Sequence, residues 1–178
     1  VHIDQPALKT ELAKITFPIY FLDYETCISA VPQYTGYHPQ QQIVFQYSLH
    51  RLDDLSLEPC HFEHLSLDPG DPALPLLEQL RHDLGDAGTV VVWYKPFEMT
   101  RNKEMALLHP QYAEFLEQIN DRIYDLADLV NFGYYLHPDF KGSFSIKDVL
   151  PVMKPELSYQ ELDINEGEQA SAAWWSIM

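Results

Sequence analysis

The chain has 178 residues, of which 46% are hydrophobic and 21% are charged, a composition that excludes a disordered segment. Its net charge of −16 argues against binding a polyanion through a basic face, but not against an acidic site that divalent cations occupy. Two cysteines are too few for a disulfide framework, and no apolar run approaches the length of about 18 residues that a membrane span needs. We therefore expect residues 1–178 to form one cytoplasmic domain without a membrane segment, cut from a longer protein.

Hydrophobic patterns predict alternating helices and strands. Residues 42–52 alternate between apolar and polar, as in a half-buried strand, whereas 19–22 and 90–93 are continuously apolar, as in strands buried on both faces. The predicted elements in chain order are a helix over 7–15, strands over 19–22, 42–52 and 58–65, a helix over 72–84, a strand over 89–94, helices over 97–108 and 112–123, a strand over 122–125, a helix through 135, a short helix from Ser145 to Pro151 and a final apolar helix near the end. This order predicts an α/β domain with a mixed sheet and helices on both faces.

Acidic residues follow both continuously apolar strands. Asp23 and Glu25 come directly after the first strand, and Glu98 falls in the first helical turn after the second. Because side chains alternate along a strand, Asp23 and Glu25 point the same way, about 7 Å apart. If the two strands are neighbours, the three carboxylates converge at the sheet edge where α/β proteins bind ligands.

Such a cluster repels itself unless cations neutralise it, and with two divalent cations it is suited to phosphodiester hydrolysis. Taken singly, each acid is explained equally well as a solvated strand-end residue or a helix cap. Because acids follow both strands, and not only one, the metal site is favoured.

Two of these segments resemble motifs of a known superfamily. FLDYET resembles the first motif of the DEDD exonucleases of the ribonuclease-H-like superfamily, and YKPFEMTRNKEMA is similar to their second motif, with Lys95 and Glu98 in the places of Asn and Asp. The closer resemblance is to an uncharacterised bacterial domain-of-unknown-function branch, often joined to RecB-like nuclease regions. That resemblance extends over most of 20–170 through YDLADLV, KGSFSIKDVLPVM and ELSYQELDINEGEQA.

The resemblance implies a ribonuclease-H-like mixed sheet, with three antiparallel strands plus parallel strands and a last helix missing. It implies a two-metal 3′→5′ exonuclease acting on the 3′ end of DNA or RNA, with Mg²⁺ or Mn²⁺ on Asp23, Glu25 and Glu98. Glu25 would also meet the terminal 3′-hydroxyl, and a fourth acid is expected beyond Met178. The alternative is a catalytically incomplete module that binds nucleic-acid ends or a partner protein and relies on a fused RecB-like nuclease region.

Further residues are candidate substrate contacts. Tyr24 and Thr26 flank Glu25 in the first motif, and Arg101 lies one helical turn after the third acid, where it pairs with that acid or meets a phosphate. Ser145 and Lys147 belong to a hydroxyl-bearing, mildly basic stretch that suits a nucleic-acid backbone, although a capped loop with solvated lysines explains it equally well.

Asp125 follows the short strand predicted over 122–125. It is either an acid next to the metal ligands or on the substrate side, or the N-cap of the following helix. The second interpretation is favoured.

Overall fold

The computed structural model describes residues 1–157 and 167–178. Its strands are β1 (His2–Ile3), β2 (Ile19–Cys27), β3 (Ile43–Leu52), β4 (Cys60–Leu65), β5 (Thr89–Val92), β6 (Ile123–Asp125) and β7 (Tyr135–Leu136). Its helices are α1 (Gln5–Leu12), α2 (Ala73–Asp83), α3 (Lys95–Leu108), α4 (Ala113–Asp121), α5 (Asp128–Asn131), α6 (Ile146–Met153) and α7 (Gly167–Ile177). In the described part of the chain, no helix is both long enough and apolar enough to span a bilayer.

The main sheet has the strand order β4-β3-β2-β5-β6. Strands β4, β3 and β2 form an antiparallel meander, and β5 and β6 continue the sheet parallel to β2. The predicted mixed α/β sheet is therefore confirmed, and the two continuously apolar strands are neighbours at its centre. A separate two-stranded ladder, β1 with β7, was not predicted, because each strand has only two residues.

Helices α2, α3 and α4 cover one face of this sheet. On that face, alternate residues of β2, namely Tyr20, Leu22 and Tyr24, pack against apolar side chains of all three helices. The opposite face is more open, since Phe21 of β2 is 40% exposed there. One face of β2 therefore packs in the core, and its other face is open to solvent.

Helix α7 is anchored near the far end of the meander. Trp174 is 2% exposed, stacks on Phe45 with ring centroids 5.0 Å apart and donates its indole N–H to the carbonyl oxygen of Ser66 at 2.7 Å. Of the apolar residues near the end of the sequence, Trp174 is thus buried within the domain, whereas Ile177 is 66% exposed. Most of the ELSYQELDINEGEQA block, residues 158–166, lies outside the described residues.

Three sequence predictions need correction. Strand β2 runs on to Cys27, so Asp23 and Glu25 lie within it and not beyond its end. The helix expected through residue 135 is only the four residues of α5, because Gly133 with φ of 80° ends it and β7 follows. Pro151 lies inside α6 and does not end it, because a proline near the end of so short a helix removes only one hydrogen bond.

Candidate functional site

The register of β2 and β5 brings the predicted acids to one sheet edge. Phe21 of β2 pairs with Val91 of β5, so Asp23 lies two residues further on, level with the residues that follow β5. Helix α3 begins at Lys95, three residues after β5 ends, and carries Glu98 in its first turn. The N-terminus of α3 therefore meets the part of β2 that carries Asp23.

Glu98 has the most unusual environment of the three acids. Its side chain is 3% exposed, and Oε2 has no hydrogen-bond partner among the described residues. Burial raises the pKa of Glu98 to about 8; the negative charges of Asp23 and Asp125 add to this rise, and the positive charge of Arg101 opposes it. The carboxylate of Glu98 thus lies within electrostatic range of both Asp23 and Asp125.

Asp23 and Glu25 are also disfavoured as anions. Asp23 reaches solvent, yet the atoms packed around its carboxyl displace enough water to raise its pKa. Burial and the charge of Asp23 raise the pKa of Glu25, while the ammonium of Lys147 opposes the rise. These carboxylates repel each other in the absence of a cation, the condition that a metal ion relieves.

The described residues bring acids near one another without forming a coordination sphere. Among residues 1–157 and 167–178, no group of three or more His, Cys, Asp or Glu side chains is placed to hold a metal ion. These acids share an electrostatic environment in which Glu98 is the buried member.

Asp125 organises the loop from which α3 starts. Its carboxylate accepts hydrogen bonds from the backbone N–H groups of Tyr94 at 2.9 Å, Lys95 at 2.8 Å and Ala127 at 3.0 Å. Tyr94 has a left-handed φ of 80°, a conformation that costs free energy for a residue with a Cβ and needs such support. Asp125 is therefore not the predicted N-cap of the following helix, because α5 begins at Asp128 with Ala127 at its N-cap position; the Asp125 carboxylate supports the turn at Ala127 and the start of α3 instead.

A family model described as a domain of unknown function (DUF2779) matches residues 20–145. The chain belongs to this family. The uncharacterized protein UU173 of Ureaplasma parvum serovar 3 is 29% identical over 180 residues, which cover 87% of this chain and 25% of that protein. The chain therefore spans about a quarter of the length of this curated relative. No solved structure matches the present chain.

The DUF2779 match contains Asp23, Glu25, Glu98 and Asp125, and it stops at Ser145. It therefore includes the whole electrostatic neighbourhood described above except Lys147. That lysine is exposed in α6, and its influence on the pKa of Glu25 shows that the fold brings it toward the acids. Ser145 is exposed and directly precedes α6, as its predicted capping position requires.

Two predicted substrate contacts of the DUF2779 domain are buried. Tyr24 is 3% exposed and donates its hydroxyl to Oδ1 of Asn102 at 3.0 Å, so it is a core residue that ties β2 to α3. Arg101 is 7% exposed and pairs with Glu104 at 3.0 Å, with its guanidinium 5.4 Å from the ring centroid of Phe97. The expected pairing of Arg101 with Glu98 is corrected to Glu104, which is also three residues away.

Thr26 is half-buried and borders an open pocket together with Glu25 and with Glu168 of α7. Sequence reasoning did not single out Glu168, because the contact spans more than 140 residues of chain. It also missed His50 and Ser48 of β3, which share a cleft with Asp23 on the open face of the sheet. The sequence feature that could have found them is the alternation of polar and apolar residues in β3. This alternation places every second side chain of β3 on the same face of the sheet as Asp23.

Proposed function

We propose that this DUF2779 domain is a divalent-metal-dependent nuclease that hydrolyses phosphodiester bonds from the 3′ end of DNA or RNA, with Asp23, Glu25 and Glu98 as metal ligands. The observation that carries the proposal is the carboxylate of Glu98. It is 3% exposed, its Oε2 is unpartnered among the described residues, and it lies within range of the charge of Asp23. A buried oxygen without a partner costs about 1–3 kcal/mol, more if charged, and a bound cation offsets this cost.

The chemical type of the donors, though not their placement in the described residues, suits the metals that the resemblance implies. Mg²⁺ and Mn²⁺ prefer carboxylate oxygens, and all three acids supply them. When bound, such ions lower the pKa of water and stabilise the attacking and leaving oxygens of an in-line displacement. The chain itself would position the ligand Glu98. Asp125 holds the first residue of α3, and α3 carries Glu98 in its first turn, near β2.

The topology supports the finer fold assignment. An antiparallel meander, β4-β3-β2, is extended by parallel strands β5 and β6, the combination that the ribonuclease-H-like resemblance implies. Asp23 and Glu25 lie in the part of β2 that continues beyond its pairing with β5, on the side where β5 leads into α3 and where open α/β sheets bind ligands. On this combined ground we propose that the domain belongs to that superfamily and that Glu25 meets the terminal 3′-hydroxyl.

The proposal is tested by incubating the full-length protein, which would include the fourth acid expected beyond Met178, and Mn²⁺ with 5′-labelled single-stranded DNA and RNA. We expect stepwise shortening from the 3′ end by the wild type and by Glu117→Gln, an exposed acid of α4, and none by Glu98→Gln. Equal cleavage by Glu98→Gln and the wild type would refute the assignment of Glu98.

A second candidate is a module that binds nucleic-acid ends or a partner protein without cleaving. The observation in its favour is that, in the described part of the chain, no group of three acids is placed to share a metal ion. A fused RecB-like nuclease region would then supply the chemistry. Oligonucleotide binding by the wild type without shortening, in the experiment above, favours this module over the nuclease.

A further inference from the structure

A pocket of about 680 Å³, the α7 pocket, lies between β2 and α7 and is the one that Thr26 borders. Its volume falls within the range of small-ligand pockets, about 300–1,000 Å³. Two aromatic residues, Phe97 and Trp175, line it together with residues that carry hydroxyl, amide and carboxylate groups. This mixture of apolar walls and a few polar groups is the composition by which such sites orient a ligand.

The polar groups of the α7 pocket are not used by the fold. Four polar side chains that line it have no hydrogen-bond or ion-pair partner in the described part of the chain, namely Thr26, Gln42, Glu168 and Ser171. Thr26 and Gln42 are half-buried, and Glu168 is exposed. The pocket therefore offers hydrogen-bonding groups to a ligand and not to the core.

The two carboxylates of the α7 pocket come from opposite walls. Glu25 belongs to β2, and Glu168 lies in the first turn of α7. The start of α7 approaches β2 closely, since a Cβ built on Gly167 would lie 3.5 Å from Oε2 of Glu25. Because Glu168 is the next residue along α7, a ligand that reaches Glu25 in this pocket also meets Glu168.

The residues that line the α7 pocket indicate what kind of group it takes. In the described part of the chain it is lined by two glutamates and by no Lys, Arg or His, so it disfavours a phosphate and favours a hydrogen-bond donor. Lys147 is within electrostatic range of Glu25 but does not line the pocket. Sugar hydroxyls are such donors, and a carboxylate is the group that accepts from the ribose 2′-hydroxyl in dinucleotide-binding folds.

We infer that the α7 pocket takes the ribose of a 3′-terminal ribonucleotide, with Glu25 accepting from its 3′-hydroxyl and Glu168 accepting from the neighbouring 2′-hydroxyl. This inference rests on the proposed function, which supplies the contact of Glu25 with the 3′-hydroxyl, and it narrows the substrate from DNA or RNA to strands that end in RNA. The 2′-hydroxyl is the group by which a protein distinguishes RNA from DNA. Glu168 is therefore the residue that determines this specificity.

The test measures binding of the full-length protein to two fluorescent single-stranded oligonucleotides in Ca²⁺, which replaces Mn²⁺ to limit cleavage. Both have the same DNA sequence, but one ends in a single 3′-terminal ribonucleotide. We expect the wild type to bind the ribonucleotide end about tenfold to a hundredfold more tightly, the effect of one hydrogen bond to a charged group. Glu168→Ala should lose this preference and bind the deoxyribonucleotide end like the wild type.

The matched control is Glu114→Ala, which removes another exposed glutamate from the first turn of a helix, α4, and should keep the preference. A third oligonucleotide, with fluorine in place of the terminal 2′-hydroxyl, has no proton to donate there and should bind the wild type like the deoxyribonucleotide end. A variant that failed to fold would lose affinity for every strand. The ratio of the two affinities, and not either affinity alone, thus reports the role of Glu168.

The outcomes separate the inference from the proposed function. If the wild type shortens both strands but binds the two ends equally, the ribose subsite is refuted and the nuclease assignment stands. If Glu168→Ala keeps the preference, or weakens both ends equally as the loss of a cation ligand would, the inference is overturned. If the wild type binds neither Mn²⁺ nor any oligonucleotide, the proposed function and the inference fail together.

Discussion

The carboxylate of Asp125 accepts a hydrogen bond of 2.8 Å from the backbone N–H of Lys95. This contact joins the end of β6 to the first residue of α3, two elements that are 30 residues apart in the chain. Glu98 lies three residues further along α3, so Asp125 holds the backbone at the start of the helix that carries this buried carboxylate. The strained backbone of Tyr94, immediately before α3, is stabilised by the same carboxylate at 2.9 Å.

Asp125→Ala is expected to lower the free energy of unfolding by about 2–4 kcal/mol, because three backbone donors lose a charged acceptor. Urea unfolding at neutral pH measures this loss. Asp128→Ala is the matched control: its carboxylate forms a partly exposed pair with Lys95, and we expect a change below about 1 kcal/mol. Equal losses in the two variants would contradict the role assigned to Asp125.

Asp23→Asn and Glu98→Gln should each weaken Mn²⁺ binding by at least about tenfold. Replacing a residue that only hydrogen-bonds to a metal ligand already causes a loss of this size, so replacing a ligand should cause no less. The reason is that each substitution replaces a negative oxygen ligand with a neutral amide of the same shape. Isothermal titration calorimetry measures the affinities, with Glu117→Gln as the control. Unchanged Mn²⁺ affinity in both variants would remove the metal site from β2 and α3.

The stability of the metal-free protein should fall as the pH rises. Because burial raises the pKa of Glu98 from 4.5 to about 8, the folded protein holds a proton between these values that the unfolded chain has released. This contribution is complete below the lower value and is lost as the pH rises through the upper one. In EDTA, we expect the wild type to lose up to about 5 kcal/mol more than Glu98→Gln over that range. Parallel pH profiles from urea unfolding of the two proteins would refute the raised pKa.

Lys147→Gln should weaken binding of single-stranded DNA and lower the slope of log affinity against log salt by about 0.7, the value for one phosphate contact on a single strand. The prediction follows from the position of Lys147 within range of Glu25. Fluorescence anisotropy at several salt concentrations measures the slope. Lys103→Gln, at an exposed lysine of α3, should leave it unchanged, and a matching effect there would assign the loss to overall charge.

Trp174→Ala should lower the free energy of unfolding by about 3–5 kcal/mol, because it removes a buried ring that stacks on Phe45 and donates to Ser66. Ile177→Ala, on the same helix but 66% exposed, should change it by less than about 0.5 kcal/mol. Thermal unfolding followed by circular dichroism compares the two. Similar midpoints would show that α7 is not anchored through Trp174.

The sequence by itself determined the two central strands and the positions of the acids along the chain. Residues 19–22 and 90–93 are continuously apolar, a local pattern that predicted two central strands, although on the open face of β2 Phe21 is 40% exposed and not covered as the pattern implied. The same locality explains the errors: a helical pattern toward residue 135 could not reveal that β7 pairs with β1, more than 130 residues away.

Only the tertiary structure decided which side chains share an environment. The burial of Glu98, the contact of Asp125 with Lys95, and the stacking of His50 on His61 all depend on the register of strands that are distant in sequence. Register is a property of the whole sheet, since a shift of one residue exchanges the two faces of a strand. The chemistry of the candidate site was thus readable as residue types, while its electrostatics and its adjoining cleft arose from packing.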